Sequence, residues 1–321
     1  MKRALQGWYV LGLVAAAMGC SGDPQGTEVA PVQSALSSRH ACADVSEDSP
    51  LAQAACSAGI LIGSAIGAAP LANDPEFPVV LDREFVYVTP ENEMKWGSLQ
   101  PVDSESWDFT GADAIVAHAN AAGQLIKGHT LVWHAQLPSF VTEDLAQKEL
   151  AKLMRKHIKE TVTRYRDDVD AWDVVNEAVN GDGSLRESVF YNVLGPDYIA
   201  EAFKLADKYS RHRANACKPH KRHRKHKGHG KHKGHARREG RVCGAELYYN
   251  DYGIETVNAK SDGVRALLAD LLDRGVRVDG VGIQGHWTCN TNLDDVEMAI
   301  ANYKSLGLKV SISELDVAVI G

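Results

Sequence analysis

The chain of 321 residues reads as an α/β protein whose parallel strands form a barrel of the (β/α)8 type. Two observations predict this. From residue 51 onward, seven short apolar runs alternate with segments of helical spacing. Polar or ionisable side chains also recur at the C-terminal tip of strand after strand. The alternation implies a parallel sheet with both faces covered. An open doubly wound sheet gathers its site at one switch point, whereas a barrel draws it from many strand ends, so the recurrence favours the barrel.

The first strand is expected at Gly59–Ile66 and the second at Glu84–Thr89, followed by Glu91 and Asn92. Gln124–Val132 is the third and contains His129; Ala171–Glu177 is the fourth and ends in Asn176 and Glu177. Ala245–Asp251 is the fifth, Val278–His286 the sixth with Gln284 and His286, and Lys309–Asp316 the seventh with Glu314 and Asp316. Helices are expected between them. Leu150, Leu153, Met154, Ile158, Val162 and Tyr165 recur at steps of three or four. So do Ile199, Ala202, Phe203 and Ala206, then Val264, Leu267, Leu268 and Leu271, then Val296, Ile300 and Tyr303. Gly280, Gly282 and Gly285 match a dinucleotide-binding fingerprint, but His286-Trp-Thr-Cys-Asn290 follows where that motif needs a helix start. These glycines are expected to serve close packing instead.

At 44% apolar and 24% charged residues, the chain can bury a large core and is not globally disordered. Its net charge of −7 is unevenly spread. Residues 211–241 hold 13 Lys or Arg, one acid and seven of the 13 His, so this window carries +12 and the remainder −19. An acidic body argues against nucleic-acid binding. Within the window His220, His223, His226, His229, His232 and His235 fall at intervals of three among Lys, Arg and Gly. That period matches polyproline II, which aligns the imidazoles along one edge. Three readings stay open: a solvated low-complexity loop, a metal-binding tract, or a patch that adheres to polyanions.

The N-terminus reads as an export signal over residues 1–20, with Lys2 and Arg3 before an apolar run from Trp8 to Met18. Gly19-Cys20 resembles a lipoprotein site, which would lipidate Cys20 and place the protein at the cell surface or outer membrane. Simple cleavage and secretion is the alternative. Residues 21–50 read as a flexible linker rich in Pro, Gly, Ser, Ala and Gln. Outside the cytosol disulfides persist. Cys42 lies near Cys56 and Cys217 and Cys243 bracket the basic window, which leaves Cys289 over; sequence does not fix these pairings.

Glu177 and Glu314 stand out because each closes a buried strand, on the fourth and seventh units of one barrel. Paired carboxylates across a cavity are the tools of glycoside hydrolysis; retention of configuration needs them about 5–5.5 Å apart. Opposed roles require opposed pKa values. His286 is expected to keep Glu314 ionised, and Trp172 and Trp133 to supply apolar surroundings for Glu177 as the acid.

Six segments resemble glycoside hydrolase family 10, the retaining endo-β-1,4-xylanases. They are Val88-Thr-Pro-Glu-Asn-Glu-Met-Lys-Trp96, Lys127-Gly-His-Thr-Leu-Val-Trp-His134, Trp172-Asp-Val-Val-Asn-Glu177, Leu247-Tyr-Tyr-Asn-Asp-Tyr252, Gly282-Ile-Gln-Gly-His286 and Ser313-Glu-Leu-Asp316. They occur in family order over most of residues 51–317. The resemblance implies that Glu177 is the acid/base and Glu314 the nucleophile. It implies that Asn176 bonds the 2-hydroxyl of the reacting sugar and that Gln284, His286 and, behind them, Asp316 support the nucleophile. His129 and Trp133 would line the reacting-sugar site, Glu91, Asn92 and Lys95 would hold the next sugar, and Tyr252 would border the acid/base. For His134 and Asp251 a structural role and a substrate contact stay open. No metal or organic cofactor is implied; the partner is xylan or a related β-1,4-linked polysaccharide, and a monomer is expected.

The family has eight strand–helix units, and only about seven are legible before Gly321. The chain is therefore expected to be a truncated product, unstable or inactive as it stands. A contrasting class is an impaired barrel that binds polysaccharide or metal at a surface.

Overall fold

The computed structural model describes residues 48–211 and 244–319, together with Val45. The export segment, nearly all of the linker, Cys20, the Cys42 and Cys217–Cys243 pairings and the six spaced histidines lie outside the described residues. Helix α1 (Pro50–Ser57) leads into the barrel and holds Cys56, which is disulfide-bonded.

The elements then alternate. Strand β1 (Gly63–Ile66) is followed by α2 (Ala68–Asn73) and α3 (Phe77–Glu84), and β2 (Tyr87–Pro90) by α4 (Trp96–Leu99) and α5 (Thr110–Ala122). Next come β3 (Leu125–Trp133), α6 (Gln147–Arg164), β4 (Ala171–Asn176), α7 (Val189–Leu194) and α8 (Tyr198–Ser210). The last part holds β5 (Glu246–Asp251), α9 (Ala259–Asp273), β6 (Gly280–Ile283), β7 (His286–Thr288), α10 (Leu293–Ser305), β8 (Lys309–Ile312) and β9 (Asp316–Ala318).

Seven strands form one parallel sheet in the order β1, β2, β3, β4, β5, β6, β8. This strictly sequential order, with helices in each crossover, is that of a (β/α)8 barrel. Among the described residues there are seven such units, β1 pairs only with β2 and β8 only with β6.

Burial follows the expected periods. All six residues of β4 and all four of β6 are buried, as strands covered on both faces must be. The longer helices bury one stripe each. Helix α5 seats Ala112, Ile115, Val116 and Ala119, and Gly123 ends it in the left-handed region at φ 71°. Helix α6 buries Leu150, Met154, Ile158 and Val162 and also His157, whose ring stacks on Trp96 with centroids 4.2 Å apart. Helix α9 opens with a reciprocal capping box between Asn258 and Ser261.

The structure shortens the sixth and seventh strands. Gly285, at φ 79°, turns the chain, so His286 does not continue β6 but starts β7, which pairs with β9 in a separate parallel ribbon. Backbone bonds carry the register through the break: Ser313 N donates to Ile283 O, Glu314 N to Gln284 O and Asp316 N to Gly285 O. The glycines of this strand do serve close packing. A Cβ on Gly282 would come 2.1 Å from Asn250 Oδ1, so only glycine there leaves room for a polar side chain at the next strand's tip.

Candidate active site

The floor of the site is ionic. Lys127 and Asp173 face one another from β3 and β4, with Nζ 2.8 Å from Oδ1 and side chains 4% and 1% exposed. The second oxygen of Asp173 meets His129 Nδ1 at 3.0 Å, and its backbone carbonyl accepts the Thr130 hydroxyl at 2.8 Å. Burial alone would raise the Asp173 carboxyl; Lys127 and His129 outweigh it and hold it below the ordinary value. His129 is thereby fixed by a carboxylate that cannot move.

Above this floor sits a layer of amides. Asn250 Nδ2 donates to Asn176 Oδ1 at 3.0 Å and to Glu314 Oε1 at 2.9 Å, while its own Oδ1 accepts the Ser313 hydroxyl at 2.6 Å. Gln284 Nε2 donates to Glu177 Oε1 at 2.9 Å and lies 3.4 Å from Asn176 Oδ1. Asn176, Asn250 and Gln284, the ends of three adjacent strands, therefore link the two carboxylates. Each is almost wholly buried, so its hydrogen bonds are not traded against water.

The two carboxylates differ in their surroundings. Glu314 faces His286, with Nε2 3.4 Å from Oε2, and His286 Nδ1 lies 2.8 Å from Asp316 Oδ2. Only the imidazolium can donate to both carboxylates at once. The Glu314 contact, seconded by Asp316, raises His286 to about 9 against the effect of burial. Reciprocally, burial favours the neutral form of Glu314, but His286, the nearby His129 and the Asn250 donor outweigh it and keep its pKa below the usual value. Glu314 is thus held as an ionised carboxylate, the state that nucleophilic attack by a carboxylate needs.

Glu177 follows β4 in the left-handed region, at φ 57°, which non-glycine residues rarely enter and which costs about 1–3 kcal/mol. Its amide donates to Asn250 O at 2.9 Å and its carbonyl accepts Arg186 Nε at 2.8 Å. Gln284 Nε2 at 2.9 Å and Asn176 Nδ2 at 3.3 Å both donate to Oε1. His134 Nε2 stands 4.0 Å from Oε2, and burial, aided by Arg186, lowers the His134 pKa and keeps it neutral there.

On the side of β2, Lys95 Nζ donates to Asn92 Oδ1 at 3.0 Å and lies over the Trp133 ring at 4.9 Å. Burial lowers the Lys95 pKa, opposed by Glu314, Glu91, Glu177 and Glu93, which surround it. Tyr252 is 40% exposed at the rim beyond β5.

The structure brings Asn92, Lys95, His129, Trp133, Asn176, Glu177, Gln284, His286, Glu314 and Asp316 into one connected site. Glu91 is exposed at its edge, and Tyr252 borders Glu177 through Arg186, whose Nη2 donates to the tyrosine hydroxyl at 3.2 Å. One expectation is corrected: Trp172 does not surround Glu177. It lies at the opposite end of β4 with its ring against Gly128, where a Cβ would approach to 2.2 Å. Sequence reasoning left out Lys127, Asp173, Arg186 and Lys260, and marked Asn250 only as a polar strand tip without a site role. For Lys127 and Asp173 a signal existed, since each is a charge inside an otherwise buried strand.

The comparisons agree with this geometry. Residues 50–217 and 235–320 match the family described as glycosyl hydrolase family 10, with the interruption inside the basic window. Endo-1,4-beta-xylanase 2 of Aureobasidium pullulans is 35% identical over 286 residues, 85% of this chain and 70% of that protein. Endo-1,4-beta-xylanase 5 of Pyricularia oryzae is 34% identical over 268 residues, 82% of this chain and 58% of that protein. The crystal structure of xylanase 10B from Thermotoga petrophila RKU-1 in complex with xylobiose superposes with a TM-score of 0.67 at 33% identity, covering 80% of this chain and 69% of that one. The chain thus spans 58–70% of the length of these relatives. Matched along most of its length and carrying the amide-linked carboxylate pair at its strand ends, the chain belongs to glycosyl hydrolase family 10.

Proposed function

We propose that this chain hydrolyses internal β-1,4 linkages of xylan with retention of configuration. The observation that carries the reading is the asymmetry of the two carboxylates: Glu314 is held ionised by His286 and Asn250, while Glu177 has one oxygen tied to Gln284 and the other open. Glu314 attacks the anomeric carbon as Glu177 Oε2–H passes its proton to the departing glycosidic oxygen. The resulting glycosyl ester at Glu314 is then attacked by water, whose proton returns to Glu177, and the anomeric carbon–Glu314 bond breaks. In this reading Asn176 bonds the 2-hydroxyl, Lys95 and Asn92 hold the next sugar, and Tyr252 borders the leaving side. The relatives named above bear xylanase names, which supports xylan as the substrate class.

The test is hydrolysis of xylo-oligosaccharides followed by NMR. The first-formed anomer should be β. Glu314→Ala should reduce the rate to background. Glu177→Ala should lose about 10²–10⁴-fold on substrates whose leaving group needs protonation. A first-formed α-anomer, or full activity in Glu314→Ala, would overturn the mechanism.

Export and lipid attachment at Cys20 belong to the same proposal and rest on the Lys2/Arg3 start and the apolar run after it. Labelled palmitate should be incorporated into the wild-type chain and not into Cys20→Ser.

A further inference from the structure

The peptide joining Glu177 to Ala178 is gripped from two sides, and both grips converge on a buried cation that the mechanism above does not use. On one side Arg186 Nε donates to Glu177 O at 2.8 Å, and its Nη2 reaches the Tyr252 hydroxyl at 3.2 Å. On the other, the Ala178 amide donates to the Tyr249 hydroxyl at 3.0 Å, and that hydroxyl donates to Asp251 Oδ2 at 2.6 Å. Lys260, in the first turn of α9, joins the two. Its Nζ is 2.7 Å from Asp251 Oδ1 and 3.2 Å from the centre of the Tyr252 ring, with only 5% of the side chain exposed and none of Asp251.

The chemistry of one proton makes this a chain of cause. A tyrosine hydroxyl has a single proton. While Asp251 is a carboxylate it accepts the hydrogen bond made through that proton, so the lone pairs of Tyr249 are left facing the Ala178 amide. Burial, with Glu177 adding to it, favours the neutral acid at Asp251, and the Lys260 ammonium opposes this. A protonated Asp251 would itself donate and free Tyr249 to turn. The grip on the left-handed Glu177 backbone, at φ 57°, would then be lost on that side.

We propose that Lys260 is a positioning residue for the acid/base Glu177: its ammonium keeps Asp251 an acceptor and thereby holds the Glu177–Ala178 peptide so that the carboxyl faces the leaving oxygen. The inference rests on the role given to Glu177 above. Lys260 is buried against Asp251 and Tyr252 and acts through them. Its second contact, beneath the Tyr252 ring, ties the same cation to the aromatic face that borders the leaving side.

The test separates positioning of the acid from general damage. Two aryl xylobiosides are compared, one with a dinitrophenolate leaving group that departs without protonation and one with a phenolate that requires it. Lys260→Met should lower kcat/KM on the phenyl substrate by about 10- to 100-fold and leave the dinitrophenyl substrate within about threefold. Tyr249→Phe keeps the ion pair and cuts the link, and should reproduce the same selective loss. Equal losses on both substrates, or none, overturn the proposal. Hydrogen exchange at the Ala178 amide needs no turnover: it should quicken in both variants while Val174 and Val175 stay protected. If the unmodified chain cleaves neither substrate, the functional reading fails on its own, and unchanged protection of Ala178 then overturns the role of Lys260.

Discussion

The two carboxylates of the site, Glu177 and Glu314, are held differently. Glu177 ends a central strand and rests on a buried shell of Asn250, Gln284, Tyr249, Asp251 and Lys260, with the Lys127–Asp173 pair beneath. Glu314 follows β8, the last strand of the sheet, and beside its bond from Asn250 it depends on His286 and, through it, Asp316, whose side chains are 45% and 49% exposed. On the central side geometry is set by packing and by charges that have no alternative partner. On the outer side it is set by charges that water and salt can also reach. A central substitution should therefore cost folding stability as well as rate, whereas an outer one should cost rate and pH range with little change in stability.

The largest effect tests the central side. Asp173→Ala leaves the Lys127 ammonium buried without its carboxylate, and removal of one partner from a buried ion pair costs about 3–5 kcal/mol. Urea unfolding at neutral pH should show that loss. A drop under about 1 kcal/mol would mean that water reaches the floor, and the contrast between the halves would fail.

Next in size is His157, enclosed beneath the Lys95 segment by Trp96 at 4.2 Å and Trp107 at 6.1 Å. Burial lowers its pKa from 6.5 to about 3. The unfolded chain then binds a proton below about pH 6.5 that the folded chain refuses until about pH 3, so stability falls with pH across that window. Between pH 7 and pH 5 the loss is about 2 kcal/mol from this group. His157→Phe, which keeps a flat ring, should abolish that share of the acid dependence. An unchanged slope in urea titrations at the two pH values would show that His157 is not its source.

Much of this organisation was legible in the chain. The long buried run of β3, the wholly apolar course of Val174 and Val175 and the stripe of α6 gave the elements their types, and the polar tips named most of the site. What stayed hidden depends on partners that are distant in sequence. Lys260 reads as an ordinary first-turn lysine until Asp251 and Tyr252 are seen to enclose it. Arg186 sits in a polar loop and looks solvated, yet it holds the carbonyl of Glu177. Trp172 shares a strand with Glu177, but strand length places its ring at the other end. Sequence reasoning runs the sixth strand through Gly285 to His286 as one polar-tipped strand, and the positive φ at Gly285 redirects His286 instead.

The smallest effect on stability, and the sharpest test of the outer side, concerns His286. Its pKa is raised, so the stability it contributes is complete below its unfolded value of about 6.5 and is lost as pH rises through about 9. Glu314 contributes in the opposite sense: its lowered pKa gives stability above 4.5 that is lost as pH falls through the folded value. The pair is intact between those limits. Asp316→Asn removes one of the two carboxylates that hold the proton on His286, and so should move the imidazole midpoint from about 9 down toward 6.5. Exposure on both sides keeps the change in folding stability under about 1 kcal/mol. NMR titration of the His286 ring in the two proteins reads the midpoint directly, and urea unfolding reads the stability. A midpoint that stays near 9 would place the whole raising influence on Glu314, and a large stability loss would mean that the β7–β9 ribbon is as packed as the centre. A lower midpoint at unchanged stability would show that the charge on His286, the cation facing Glu314, is set by contacts that folding does not require.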